Sequence, residues 1–262
     1  FHGFNSGKKN RKGKEDHFTI RGSFDLYVTQ GPNTTEKFQH LANDHKYFHV
    51  KETGWCALDS LYAKSEQSKK NDLPTILLCS TFSRNLTCAP HLFDEVKRLS
   101  TSGKWRWLVQ FHPKMSPEII KQYKALENEH LSFVETDNVI PLLKEADLMV
   151  CDTSSVLLMF LLLNKPVVTF RNVAPKDYLI NITEPELLEQ SIETGLTRPM
   201  PLMENIENFI EQTHPYNDGK SSQRVLEAVD EMLSGQVKVT KKKPLNLIRQ
   251  YKMRKRLGYW KF

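Results

Sequence analysis

The chain has 262 residues, 39% of them hydrophobic, which is enough to bury one large core or two modest ones and excludes a disordered chain. Its longest apolar run, Val156 to Leu163, is eight residues, far short of the roughly 20 that a membrane-spanning helix needs. The net charge of +6 comes from one end, because residues 241–262 hold nine Lys or Arg and no Asp or Glu, leaving the rest three negative.

The chain opens on Phe1-His2-Gly3 with no initiator methionine, which reads as a start cut upstream and leaves a leader or anchor open. Lys8, Lys9, Arg11, Lys12 and Lys14 follow as a loop that could meet an anionic substrate, a solvated charge run being the simpler account. A strand is expected over Phe24–Thr29, a helix over Thr34–Asn43 and a strand over Tyr47–Val50, the end of one α/β lobe spanning residues 1–60. Ser65 to Asp72 is polar and without apolar period, as a linker would be.

Beyond it the rhythm is regular. Strand-length apolar runs fall at Thr75–Cys79, Trp105–Phe111, Leu131–Val134, Leu148–Cys151 and Val167–Phe170. Helical patterns at His91–Ser100, Pro117–Asn128, Val139–Ala146 and Ser154–Asn164 separate them, with further helices at Met203–His214 and Lys220–Ser234. This alternation predicts a doubly wound, parallel Rossmann-type sheet over residues 61–235, followed by a basic tail, 236–262.

In such a sheet ligands lie at the carboxyl ends of the strands. There the sequence has Ser80-Thr81-Phe82-Ser83, His112-Pro113-Lys114 and Asp152-Thr153-Ser154-Ser155. The last set sits where a strand becomes a helix, so its N–H groups and hydroxyls suit a pyrophosphate. A plain helix cap is the competing account of Asp152 or Thr153, and a structural histidine that of His112. Gly219-Lys220-Ser221-Ser222 is not a Walker loop, because the position five before Gly219 is His214; Ser221 or Ser222 remains available to a ligand. Cys56, Cys79, Cys88 and Cys151 have no metal or disulfide spacing and read as reduced core thiols of a cytosolic protein. No metal site, cofactor or serine-hydrolase motif is expected.

Taken in order, His2-Gly3, Gly54-Trp55 with Leu58-Asp59, His112-Pro113, Asp152 to Ser155, Lys165-Pro166-Val167-Val168, Pro215-Tyr216 and Asp218 to Ser222 resemble the CDP-glycerol glycerophosphotransferase family, which includes teichoic acid polymerases and primases. The likeness runs from residue 1 to about 234; it departs at Phe1-His2-Gly3-Phe4, where members commonly have Trp-His-Gly with a following Thr-Pro. It implies a GT-B-like fold of two Rossmann-like domains and transfer of glycerol phosphate, or a related polyol phosphate, from CDP-glycerol to a hydroxyl of a polymer or lipid-linked acceptor, releasing CMP. His112 with Thr153, Ser154 and Ser155 would hold the pyrophosphate, Asp152 would belong to the same donor site, and Thr81 and Arg171 would line the cleft. His2 would be the general base. A GT-B nucleotide-sugar glycosyltransferase or UDP-GlcNAc 2-epimerase is the alternative.

In the tail, Met253, Leu257 and Trp260 recur at i, i+4 and i+7 among cations, as in a helix lying on an anionic membrane; a helix packed on the protein or a disordered tail is the alternative. Cytoplasmic residence, peripheral at the inner face of the membrane, is the corresponding expectation. No nucleic-acid motif occurs.

Overall fold

In a computed structural model of the chain, which describes residues 16–63 and 72–260, apolar runs and amphipathic stretches become alternating strands and helices. In chain order these are β1 (Leu26–Thr29), α1 (Pro32–His45), β2 (His49–Glu52), α2 (Asp59–Tyr62), β3 (Thr75–Ser80), α3 (Ala89–Ser100), β4 (Arg106–Phe111), α4 (Pro117–Lys124) and β5 (Leu131–Phe133). They continue as α5 (Ile140–Glu145), β6 (Leu148–Cys151), α6 (Val156–Leu161), β7 (Val167–Phe170), β8 (Ile180–Ile182), α7 (Leu188–Leu196), α8 (Met200–Thr213), α9 (Ser221–Leu233) and α10 (Leu247–Leu257). The described residues fall into two compact units, one from Ala57 to Gly219, the other up to Cys56 and again from Lys220.

The larger unit holds one parallel sheet in the order β5-β4-β3-β6-β7-β8. β3, β6 and β7 are buried along their whole length, which is why they read as unbroken apolar runs rather than as alternating ones. α3 buries Leu92, Val96 and Leu99, one stripe at i, i+4 and i+7. Truncating one such leucine to alanine costs about 2–5 kcal/mol. Lys165, in the Lys-Pro-Val-Val landmark, ends α5: its Nζ donates to the carbonyls of Leu143, Lys144 and Ala146 at 3.0, 2.7 and 2.6 Å. Burial lowers its pKa to about 8, so at neutral pH the ammonium keeps three N–H groups for three carbonyls that the helix itself leaves orphaned.

The smaller unit pairs β1 with β2 in parallel around a core of Tyr27, Phe38, Ala42, Tyr47 and Phe48. The sequence puts the domain limits at 60 and 235, whereas the chain divides at 56 and 219, because α9 buries Ser221 and Ala228 and pairs Glu231 with Lys51 of β2 at 2.7 Å. Residues 241–246 are strapped to this unit as well. Lys241 N–H donates to the Lys46 carbonyl, Lys243 pairs with Asp25, and Asn246 Nδ2 donates to the carbonyls of Arg21 and Gly22. The strap carries α10, which buries none of its residues.

Several limits differ from expectation, each for a local reason. α4 stops at Lys124 because Asn128 and Leu131 exchange backbone hydrogen bonds in a tight turn. α6 spans only Val156–Leu161, with Asn164 in the left-handed region (φ 55°) ending the turn that follows. α10 ends at Gly258 (φ 62°), so Trp260 does not continue the face of Met253 and Leu257 but packs edge-on against Tyr251. β8 and α7 are unforeseen. The expected linker Ser65–Asp72 lies, but for Asp72, outside the described residues, and so do His2-Gly3 and the basic loop Lys8–Lys14. No helix among the described residues is long and apolar enough to cross a membrane.

Candidate functional site

The strand order makes β3 and β6 neighbours although the chain leaves β3 for β4 and β5 first, so the chain reverses direction across the sheet between them. Outside the carboxyl ends of two such strands the connecting loops part and leave a crevice. Thr81 follows β3, Asp152 follows β6, His112 follows β4 and Arg171 follows β7. With about 4.8 Å between neighbouring strands, the four strand ends fall within about 15 Å.

Asp152 is the frame of this edge rather than its surface. It is fully buried, and its Oδ2 accepts hydrogen bonds from Ser80 Oγ at 2.7 Å, Thr81 N–H at 2.9 Å and Cys88 N–H at 3.1 Å. Burial raises its pKa, opposed by these three donors, and its Oδ1 has no partner among the described residues. Asp152, expected in the donor site, thus ties the loop after β3 to that after β6. Its charge and their burial also push up the thiols of Cys79, Cys88 and Cys151, burial first; for Cys79 the value reaches about 12, so these cysteines are inert packing. Cys56, expected in the core with the other three, is instead exposed, because it lies in the short turn after β2 and not in a strand of the large sheet.

Beyond Asp152 the turn opens to solvent. Thr153 Oγ1 accepts from Val173 N–H at 3.1 Å, and Ser154 Oγ lies 3.5 Å from Val156 N–H, while Ser155, the N-cap of α6, makes no side-chain cap bond. Among the described residues, the N–H groups of Thr153, Ser154 and Ser155 find no acceptor in the protein. Three consecutive free amides are a better anion feature than the dipole of α6, which is only six residues long.

His112 is exposed at the end of β4, on the far side of β3 from that turn. Its Nδ1 accepts the Lys114 N–H at 3.1 Å, which leaves the ring proton on Nε2, and its ring packs on exposed Phe82 with centroids 4.5 Å apart. Lys114 Nζ sits 5.6 Å from the Phe82 ring centroid. Arg171 adopts the left-handed region (φ 48°), and its guanidinium lies 4.8 Å over Phe170 while Nε donates to the Thr183 carbonyl, so the two terminal nitrogens have no acceptor among the described residues. A non-glycine residue in that conformation is strained by roughly 1–3 kcal/mol.

The larger unit thus brings Thr81, His112, Asp152, Thr153, Ser154, Ser155 and Arg171 to one edge. Ser221 and Ser222 open α9 in the other unit, Ser221 buried at 2% and Ser222 exposed. His2 lies outside the described residues. Sequence reasoning missed Phe82, Asn172 and Asn181. Phe82 stands in a strand-end set already singled out, so an exposed aromatic there could have been flagged; nothing in the sequence marks the two asparagines.

Residues 100–178 match the family model of CDP-Glycerol:Poly(glycerophosphate) glycerophosphotransferase, a stretch that includes His112, Asp152 to Ser155 and Arg171. No curated protein matches the chain. Among solved structures, the wall teichoic acid polymerase TagF, in a crystal soaked with CDPG, is 17% identical with a TM-score of 0.59, over 90% of this chain and 65% of that one. A UDP-N-acetylglucosamine 2-epimerase is 17% identical with a TM-score of 0.56 over 84% and 61%, and S. aureus MnaA with UDP is 18% identical with 0.54 over 84% and 63%. The chain spans 61–65% of the length of these three structures. At such identities the likeness establishes a GT-B-like α/β fold, and together with the match over residues 100–178 it makes the chain one that resembles the CDP-glycerol glycerophosphotransferase family.

Proposed function

We propose that the chain carries the donor site of a transferase that moves glycerol phosphate, or a related polyol phosphate, from CDP-glycerol to a hydroxyl of a teichoic acid-like polymer. The observation that carries this reading is the run of three unspent amides at Thr153, Ser154 and Ser155 at the β3/β6 switch point, with Arg171 at the end of neighbouring β7 and His112 one strand beyond β3, at the end of β4. The amides, the His112 Nε2–H and the terminal nitrogens of Arg171 are donors, as a pyrophosphate requires. His112 would offer its Nε2–H, Ser154 and Ser155 their amides and hydroxyls, and Arg171 its terminal nitrogens.

In the proposed step an acceptor hydroxyl attacks the glycerol-bearing phosphorus. The bond from that phosphorus to the bridging oxygen breaks, and CMP leaves with the charge. Fixed donors around the leaving phosphate stabilise it without reorganising; removal of one such donor costs about 10²–10³ in rate. The attacking hydroxyl's proton passes to a general base, for which His2 is the candidate. The family match and the CDPG-soaked TagF neighbour support cytidine over uridine as the base of the donor.

The test is calorimetric titration of CDP-glycerol, CMP, UDP and UDP-GlcNAc into the wild-type chain and into His112→Ala and Ser154→Ala. Cytidine ligands should bind more tightly than uridine ligands, and each substitution should weaken CDP-glycerol about tenfold or more. Preference for UDP or UDP-GlcNAc would replace this reading with that of a sugar-nucleotide enzyme on the same fold.

A further inference from the structure

The turn after β6 is held on its far side by the loop after β7. Asn172 Nδ2 donates to the Asp152 carbonyl at 3.3 Å, and Val173 N–H donates to Thr153 Oγ1 at 3.1 Å. Neither bond belongs to the β6/β7 ladder, whose pairing ends at Cys151 and Thr169. Asn172 is itself fixed from behind. Its N–H donates to Asn181 Oδ1 at 3.0 Å, its Oδ1 accepts Ala174 N–H at 2.9 Å, and Asn181 Oδ1 also accepts the Thr169 hydroxyl at 3.0 Å. These partners define which end of the Asn172 amide is nitrogen, and they use both ends within the protein.

A peptide unit is planar and trans, so the carbonyl of Asp152 and the N–H of Thr153 point in opposite directions. A donor that holds the Asp152 carbonyl toward the β7 side therefore turns the Thr153 N–H away from it. On the other side Asp152 Oδ2 is bonded to Ser80, Thr81 and Cys88, so the peptide is gripped by both neighbouring loops. We propose that Asn172 is a positioning residue of the donor site: it sets the Asp152–Thr153 peptide, and through it the direction of the first of the three free amides, without touching the ligand. This rests on the donor-site reading above, and it adds a residue that acts on the phosphates and not on the nucleoside.

The experiment compares wild type, Asn172→Ala and Asn181→Ala for binding of CDP-glycerol by calorimetry and of cytidine by ligand-observed NMR, with thermal melting of each. Asn172→Ala should weaken CDP-glycerol about tenfold or more and leave cytidine within about twofold. Asn181→Ala, which releases the backbone N–H of Asn172 and the Thr169 hydroxyl but leaves the Asn172 side chain in place, should show the same selectivity to a smaller degree and stands in if Asn172→Ala does not fold. Equal CDP-glycerol affinity in wild type and variant, or a parallel loss of CDP-glycerol and cytidine, overturns the positioning role while leaving the donor site in place. A wild-type chain that binds no cytidine nucleotide overturns the donor reading, and this inference with it.

Discussion

A carboxylate buried as completely as Asp152 is costly unless its partners are in place, and three of them are, all on one oxygen. Asp152→Ala strands the Thr81 and Cys88 amides, while the Ser80 hydroxyl keeps Thr87 Oγ1 at 2.8 Å, and should cost about 2–4 kcal/mol in urea unfolding. Asp152→Asn keeps an acceptor oxygen and removes the charge, which gives a pH test. Because the folded pKa is raised above the unfolded 3.8, the folded state takes up this proton first. The contribution is fully present below 3.8 and is lost as pH rises through the folded value. Wild-type stability relative to Asp152→Asn should therefore improve as pH falls from 7 toward 4, read from urea midpoints; a difference that does not change with pH would mean that this carboxyl is not perturbed. His112 and the Asp152 to Ser155 turn were legible in the sequence, because strand ends can be counted from apolar runs and polar residues there stand out. Asn172 and Asn181 were not, since an asparagine in a loop and one in a three-residue strand acquire a joint role only when β7 and β8 lie side by side.

At the level of elements, β3, β6 and β7 came through because burial on both faces demands unbroken apolar runs. β8 did not, being three residues long with Asn181 at its centre, and the α7 stripe Leu188, Ile192 and Leu196 is diluted by polar residues and Gly195. The strap before α10 was also invisible, because it consists of hydrogen bonds to residues more than 190 positions away. It offers a clear test at Gly22, which has φ 66° and whose added Cβ would lie 2.5 Å from Pro244 Cγ and 2.8 Å from Asn246 Nδ2. Gly22→Ala should combine a left-handed penalty of about 1 kcal/mol with displacement of the strap. Limited trypsin digestion should then cut after Lys241 and Lys242 several-fold faster than in wild type, whereas unchanged cleavage would mean that the strap does not depend on this contact.

For the molecule as a whole, the charge asymmetry gains a physical form: α10 carries Arg249, Lys252, Arg254, Lys255 and Arg256 together with exposed Leu247, Ile248 and Leu257. An isolated helix of 11 residues is marginal in water, so a surface that accepts both cations and apolar side chains would stabilise it. We propose an anionic bilayer as that surface. The chain should sediment with vesicles containing phosphatidylglycerol and not with pure phosphatidylcholine, by about 1 kcal/mol per engaged cation, and less so at high salt. Removal of residues 241–262 should abolish this; undiminished sedimentation would refute it.

By itself the sequence determined the alternating α/β class, five of the six strands of the larger sheet nearly to the residue and the polar sets at their ends, because burial periodicity and strand-end chemistry are local properties that neighbouring residues already carry. Only the tertiary structure decided that Asp152 is a buried strut, that Asn172 and Asn181 stand behind the site, that α9 and the tail strap belong to the smaller unit, and where β8 lies. Each of those depends on which distant segments become neighbours, and a hydrogen bond between residues far apart in the chain leaves no periodic trace in either of them.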